Sequence, residues 1–348
     1  MKRKAVVLAA SGLVSTAAEA QSGITLYGLL DVGVEYISNA GPDGRSTVGL
    51  VSGGKNISRW GLRGAEPLGG GMTAIFRLES GIQADTGTFY GDRGLFNRRA
   101  WVGLQHETLG SIRMGADYST TFDYMAPFEP MDYAQNYSWA MASTGSGDRQ
   151  DSMFVRSSNV VRYDGQFGPV KVGGTLGFGE DPGSFKSSLK YDLAIGYAAG
   201  GFSAVVTWDR VHGAAGDPTD YAQGIHAGAR YDVGALKLFA GYRNYRKTFT
   251  TTAPNQLSDM YWLGAAYDFT PAFALYGAVY KQNIKGDTNA DPIMVSLRAQ
   301  YSFSKRTLAY VSAAYAKARN GQPVSVSRDF AGYADNQVGV LAGLQHRF

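Results

Sequence analysis

An all-β fold, a sixteen-stranded antiparallel transmembrane barrel, is predicted by three features of the sequence. First, apolar and polar residues alternate at every second position over most of the 348 residues, the period of a strand and not of a helix. Second, the alternating stretches are about as long as the ~9–11 residues with which a tilted strand crosses a bilayer. Third, short and long connections take turns along the chain. Seven short ones fall at 66–71, 107–111, 165–169, 199–201, 233–235, 269–272 and 303–306, and eight long polar ones near 40–55, 84–97, 118–153, 180–187, 212–222, 248–258, 284–291 and 319–335. Fifteen connections join sixteen strands. An even strand number with short turns at one end and long loops at the other is the outer-membrane barrel pattern.

Composition agrees and removes other classes. Glycine, with 46 residues, stands well above its usual share of roughly 7%, and charged residues at 18% fall below the usual ~25%. There is no cysteine, which excludes disulfide frameworks, thiolate metal sites and thiol catalysis. No run of eighteen apolar residues exists, so a membrane-spanning helix is not expected. The formal net charge is +4.

Taken in order, the chain begins with Lys2, Arg3 and Lys4, a small apolar run over 5–18, and Ala18-Glu19-Ala20. This is the three-part pattern of an export signal cleaved before Gln21, with 21–348 as one barrel domain. The strands then follow. In 202–209, Phe202, Ala204, Val206 and Trp208 share one face; Ser203, Thr207 and Asp209 share the other. In 293–303, Ile293, Val295, Leu297, Ala299, Tyr301 and Phe303 oppose Ser296, Arg298, Gln300 and Ser302. In 338–348, Val338, Val340, Ala342, Leu344, His346 and Phe348 oppose Gln337, Gly339, Gly343, Gln345 and Arg347. Such faces suit hydrocarbon outside and water inside. A closed sheet also leaves no backbone group unpaired in lipid. Sixteen strands enclose a lumen too wide for side chains to fill, hence an aqueous channel. Tyr27, Trp60, Tyr163, Tyr231, Tyr267, Phe303 and Phe348 stand near strand ends, as interfacial girdles require. Stacked soluble sandwiches or a propeller fit less well, because strand lengths are uniform and no blade-sized repeat is visible.

Strand parity assigns the lumen side. With Trp60 and Leu62 facing lipid, Arg59 and Arg63 point inward. With Phe76 and Leu78 outward, Arg77 and Glu79 point inward. Arg113 and Asp117 share the inner face of 112–117. With Val161 and Tyr163 outward, Arg156 and Arg162 point inward. Arg98 and Arg99 stand where a strand begins and parity does not decide between them; one of the two is expected to face the lumen. The third long connection, about 118–153, carries Asp123, Glu129, Asp132, Asp148 and Asp151 against Arg149, with Tyr124, Phe128, Tyr133, Tyr137 and Trp139 able to pin it to a wall. A connection of that length is expected to be functional. Folded inward, it narrows the lumen; left outside, it is a surface loop.

Four segments resemble the β-proteobacterial general porins of the neisserial and burkholderial type. They are Gln21-Ser22-Gly23-Ile24-Thr25-Leu26-Tyr27-Gly28 with Asp31, Ser58-Arg59-Trp60-Gly61-Leu62-Arg63-Gly64, Asn97-Arg98-Arg99-Ala100-Trp101-Val102-Gly103-Leu104, and the terminal Gly343-Leu344-Gln345-His346-Arg347-Phe348. The resemblance implies a homotrimer in the Gram-negative outer membrane, among its lipid and lipopolysaccharide, passing small hydrophilic solutes and ions. It implies that the third long connection folds into the pore as a constriction loop. It also implies that Arg59, Arg98 and Arg156 match a constriction arginine cluster, with Glu79 and Asp117 as acidic positions beside it, and that Phe348 resembles the signal read by the barrel-assembly machinery.

Arginine suits a narrow pore because guanidinium stays charged at physiological pH and is weakly hydrated. Charges opposed across a constriction screen solutes by polarity and favour one ion sign. Inward arginines outnumber inward acids, so modest anion selectivity is expected. No cofactor or metal is expected, since His106, His212, His226 and His346 lack ligand spacing. No nucleophile elbow is present, so the chain is read as no enzyme. Basic residues are dispersed among strands, which gives no support to nucleic-acid binding. A solute-specific channel of the same fold, or an adhesin-type barrel acting through its long loops, are the alternatives.

Overall fold

The computed structural model describes residues 23–91, 94–132, 134–140, 155–213, 219–249, 254–285 and 289–348. The export signal read over 1–20, and Tyr133, Asp148, Arg149 and Asp151 of the third long connection, lie outside them.

Eighteen strand segments form one closed antiparallel sheet. In order they are β1 (Ile24–Ile37), β2 (Thr47–Ser52), β3 (Arg59–Gly69), β4 (Met72–Gln83), β5 (Thr88–Phe89), β6 (Arg99–His106), β7 (Gly110–Tyr118), β8 (Arg156–Phe167), β9 (Val170–Gly177), β10 (Lys190–Ala199), β11 (Phe202–His212), β12 (Tyr221–Val233), β13 (Leu236–Thr248), β14 (Gln256–Asp268), β15 (Phe273–Lys285), β16 (Ile293–Ser302), β17 (Thr307–Lys317) and β18 (Asn336–Arg347). β2 and β3 both pair with β1, one along each half of it, and together make a single stave. β5 is a two-residue ribbon on the end of β4. Sixteen staves remain, as the fifteen connections predict. The seam closes between β1 and β18, where Leu29 pairs with Arg347 and Ile37 with Gly339.

The outer face is apolar and uncovered. Val102 of β6, Leu263 of β14 and Leu297 of β16 are each more than 60% exposed. In water a continuous apolar band of this kind is a liability; against hydrocarbon it costs nothing. Tyr267 and Phe269 meet edge to face at 4.7 Å, and Tyr301 and Phe303 at 5.3 Å, at the short-turn end where an aromatic girdle belongs.

Two details depart from the sequence reading. The first long connection is shorter than 40–55, because Thr47–Ser52 continues the second stave. The chain leaves the ladder only after Ser52, at Gly53 with φ 76°, and rejoins it at Arg59. This glycine-rich interruption hides the strand from a periodicity test. Tyr27 also faces the lumen and not the lipid interface, since its hydroxyl donates to Glu79 at 2.9 Å.

The buried apolar cluster lies inside the barrel. After β7 the chain turns inward as helix α1 (Thr120–Met125) and a 3-10 turn over Ala126–Phe128. Ser119 caps α1, accepting from the Phe122 amide at 3.0 Å. Phe122, Met125, Phe128, Met131, Tyr137 and Trp139 from this segment pack with Met260, Trp262, Tyr280 and Met294 of the far wall. The described part of the third long connection is therefore an inward-folded constriction loop.

Candidate pore constriction

The loop is held at both ends and along its length. Near its root Arg162 of β8 donates to Asp123 at 2.7 Å and to the carbonyls of Tyr118 and Ser119 at 2.8 and 3.2 Å. Arg162 also holds Asp164 at 2.8 Å, and Arg113 reaches both Asp164 and, at 3.2 Å, Asp117. On the far wall Trp262 donates its indole N–H to the Phe128 carbonyl at 2.9 Å. Glu129 accepts from Ser138 at 2.8 Å and from the Tyr280 hydroxyl. Past that point Asp132 meets the Lys55 ammonium at 2.6 Å, and Trp139 donates to the Ser325 carbonyl at 3.2 Å. Two glycines make room for the crossing. A Cβ at Gly228 would stand 2.7 Å from Phe128, and one at Gly264 2.3 Å from Pro130.

Between this loop and β3, β4 and β6 a polar cavity of about 310 Å³ remains. Arg59, Arg77, Arg98, Arg99 and Arg347 line it, with Glu79, Asp123 and Asp132. Glu79 is its electrostatic hub. One carboxylate oxygen accepts from Arg98 at 2.8 Å; the other accepts from Arg77 at 2.8 Å and lies 3.9 Å from Arg59. Buried charge of this kind is tolerable only when paired and hydrogen-bonded. Tyr118 provides a platform, with Arg99, Arg156 and Arg98 over its ring at 4.6, 5.2 and 5.4 Å. Such stacking lets guanidiniums crowd together, while Glu79 engages Arg98 and Asp117 and Asp123 engage Arg99.

Asp123 is the loop carboxylate nearest the cluster. Burial alone would push its pKa up, but the guanidiniums of Arg99 and Arg162 outweigh burial and hold it below the usual carboxylate range. It therefore stays charged beside Arg99, 3.4 Å away.

The sequence-derived residues fall in four places. Arg59, Arg77, Arg98, Arg99, Glu79, Asp123 and Asp132 line the 310 Å³ cavity, with both Arg98 and Arg99 among them where only one was expected. Arg156 joins through the Tyr118 ring and donates to the Asn97 carbonyl at 3.2 Å. Its strand reaches that position through a bulge, with Asn159 at φ 60° and a register shift opposite it in β7. Arg113, Asp117 and Arg162 lie behind, tying the loop root to the wall. Glu129 is a buried anchor, 2% exposed, on the opposite wall. Arg63 stands nearer the short-turn mouth, over the Tyr27 ring at 5.5 Å.

Lys55, Tyr118 and Arg347 escaped sequence reasoning. Arg347 was legible, since it shares the polar face of its strand with Gln345. Lys55 was not: it sits in the interruption between β2 and β3, where no alternation tells inside from outside.

Comparison with known proteins gives one answer. The pattern of the Gram-negative porin family matches residues 5–321. An outer membrane porin of Delftia acidovorans is 30% identical over 98% of this chain and 97% of its own. One from Bordetella pertussis is 28% identical over 77% of this chain and 66% of its own. Among solved structures, an anion-selective porin from Comamonas acidovorans superposes with a TM-score of 0.82 at 26% identity, covering 94% of this chain and 100% of that one. A closed sixteen-stave barrel, a lumen crossed by its own loop and these relatives agree: the chain belongs to the Gram-negative porin family and forms a diffusion channel of the outer membrane.

Proposed function

We propose that the constriction makes this channel a general diffusion pore with a modest preference for anions. The observation that carries the proposal is the charge balance around the 310 Å³ cavity, where five arginines face three carboxylates. The excess is positive but small, and each carboxylate neutralises part of the field, so the preference is modest and not absolute. The relative from Comamonas acidovorans is described as anion-selective, which supports the same direction. In this reading Arg59, Arg98 and Arg156 draw anions to the narrowest point. Glu79 and Asp117 keep the guanidiniums from repelling one another apart, and Asp123 and Asp132 fix the loop that shapes the opening.

The same proposal covers export and assembly. The signal over 1–20 is removed, the barrel enters the outer membrane among lipid and lipopolysaccharide, and three copies associate. Phe348 serves as the assembly signal. Its backbone exchanges hydrogen bonds with Gly28 at 3.0 and 3.1 Å, at the seam where the first and last staves meet. The chain acts as a channel and not as an enzyme.

Single-channel recording in planar bilayers tests the pore reading, with uncharged sugar flux measured in parallel. Conductance rising in proportion to KCl concentration, and sugar flux that does not saturate, are expected. Saturable flux of one solute would favour the solute-specific channel, and no conductance would favour the adhesin-type barrel.

A further inference from the structure

A second polar cavity, of about 460 Å³, opens on the short-turn side of the loop. That volume falls within the ~300–1,000 Å³ typical of small-molecule sites. Its charged lining is Lys55, Lys305, Arg306 and Arg347 against one acid, Asp132. Asp132 is already engaged by Lys55 at 2.6 Å. Among the described residues, no carboxylate lies within ion-pair distance of Lys305, Arg306 or Arg347. Arg298 adds charge from the wall. It is 1% exposed and stacks over Tyr276 at 4.4 Å, and its guanidinium nitrogens make no well-formed hydrogen bond. Gln300, two residues further along the same face of β16, lines the cavity itself.

Several uncompensated cations around one space repel one another, and a mobile anion relieves that repulsion. The Ser304 hydroxyl accepts from the amides of Arg306 and Thr307, both at 3.1 Å, which fixes the turn that carries Lys305 and Arg306. Arg347 lines this cavity and the constriction cavity alike, so the two spaces share a cation. A single chloride leaves most of this charge unmatched; an anion with two or more negative charges matches it better. Short turns of such barrels face the periplasm, which places the cavity at the periplasmic mouth.

We infer that this mouth is a holding site for small multivalent oxyanions, compounds carrying a phosphate group or two or more carboxylates, positioned directly below the constriction. The inference rests on the reading of the channel as anion-preferring. Such a site raises the local concentration of multivalent anions next to the constriction and slows their departure, so they block the chloride current while they occupy it.

The test is block of single-channel chloride current by citrate and by inorganic phosphate, with acetate as the monovalent comparison. The variant is Lys305→Gln/Arg306→Gln, whose two side chains are exposed on a turn and outside the constriction. The half-blocking concentration of citrate is expected to rise by roughly threefold or more in the variant, the combined worth of two such contacts, with acetate unaffected. Phosphate moving with citrate marks a site for oxyanions in general, and citrate moving alone confines the site to polycarboxylates. An unchanged citrate value, or an equal shift for acetate, would overturn the site. The wild-type reversal potential in a salt gradient reports on the channel reading separately. Anion preference with unchanged citrate block removes only the holding site, whereas cation preference removes the reading beneath it.

Discussion

Asp123 shows how one residue couples loop shape to pore charge. Its carboxylate receives Arg162 from behind and Arg99 from the pore side. Because those cations depress its pKa against the opposing effect of burial, the sign of the pH dependence follows. A carboxylate held below its unfolded value contributes stability above that value, and loses the contribution only as pH falls through the lowered one. Single-channel conductance is therefore expected to stay level from neutral pH through about 4, where a free aspartate titrates, and to become noisy only at more acid pH. A transition centred near the ordinary aspartate value would contradict the latch. At this scale parity made most of the arginines legible, because lumen and lipid demand opposite side chains at successive positions. It could not place Glu129 or Asp132. Both lie in a loop whose path is set by long-range contacts, to Tyr280 and Lys55, that no local pattern records.

The constriction loop is the element in which sequence, packing and function meet. Its aromatic residues were legible as pins, and Phe128 and Trp139 do anchor it. The walls they meet were not legible, since the receiving features are the absent side chains of Gly228 and Gly264 and single donors such as Trp262. Gly264→Val places methyl groups where Pro130 packs, because even a Cβ there would approach to 2.3 Å. The loop must then move off that wall toward the arginine face. Lower single-channel conductance is expected, with a stability loss of about 1–3 kcal/mol for overpacking. Normal conductance would show the loop to be slack where the structure has it clamped. Tyr280→Phe probes the same clamp without adding volume. It removes a donor to the buried Glu129 carboxylate, and a loss of about 1–3 kcal/mol in thermal or denaturant unfolding is expected.

For the whole molecule, the sixteen staves were legible because two constraints act along the entire chain: period-two alternation and the bilayer-set strand length. The exception is the stave made from β2 and β3, where the chain departs from the ladder to bring Lys55 beneath the loop. The closed sheet leaves no edge and fixes the lumen, and its own loop then divides that lumen. The acids gather mainly at the hub and latch positions, and the surplus arginines remain for the solute. Net positive charge at the constriction thus sets the selectivity, and the zero-current reversal potential across a KCl gradient reads its sign. The wild-type channel should show an anion preference, and Arg59→Gln/Arg98→Gln/Arg156→Gln should reduce it to near zero or reverse it while conductance persists. Cation preference in the wild type, or unchanged selectivity in the triple variant, would contradict it.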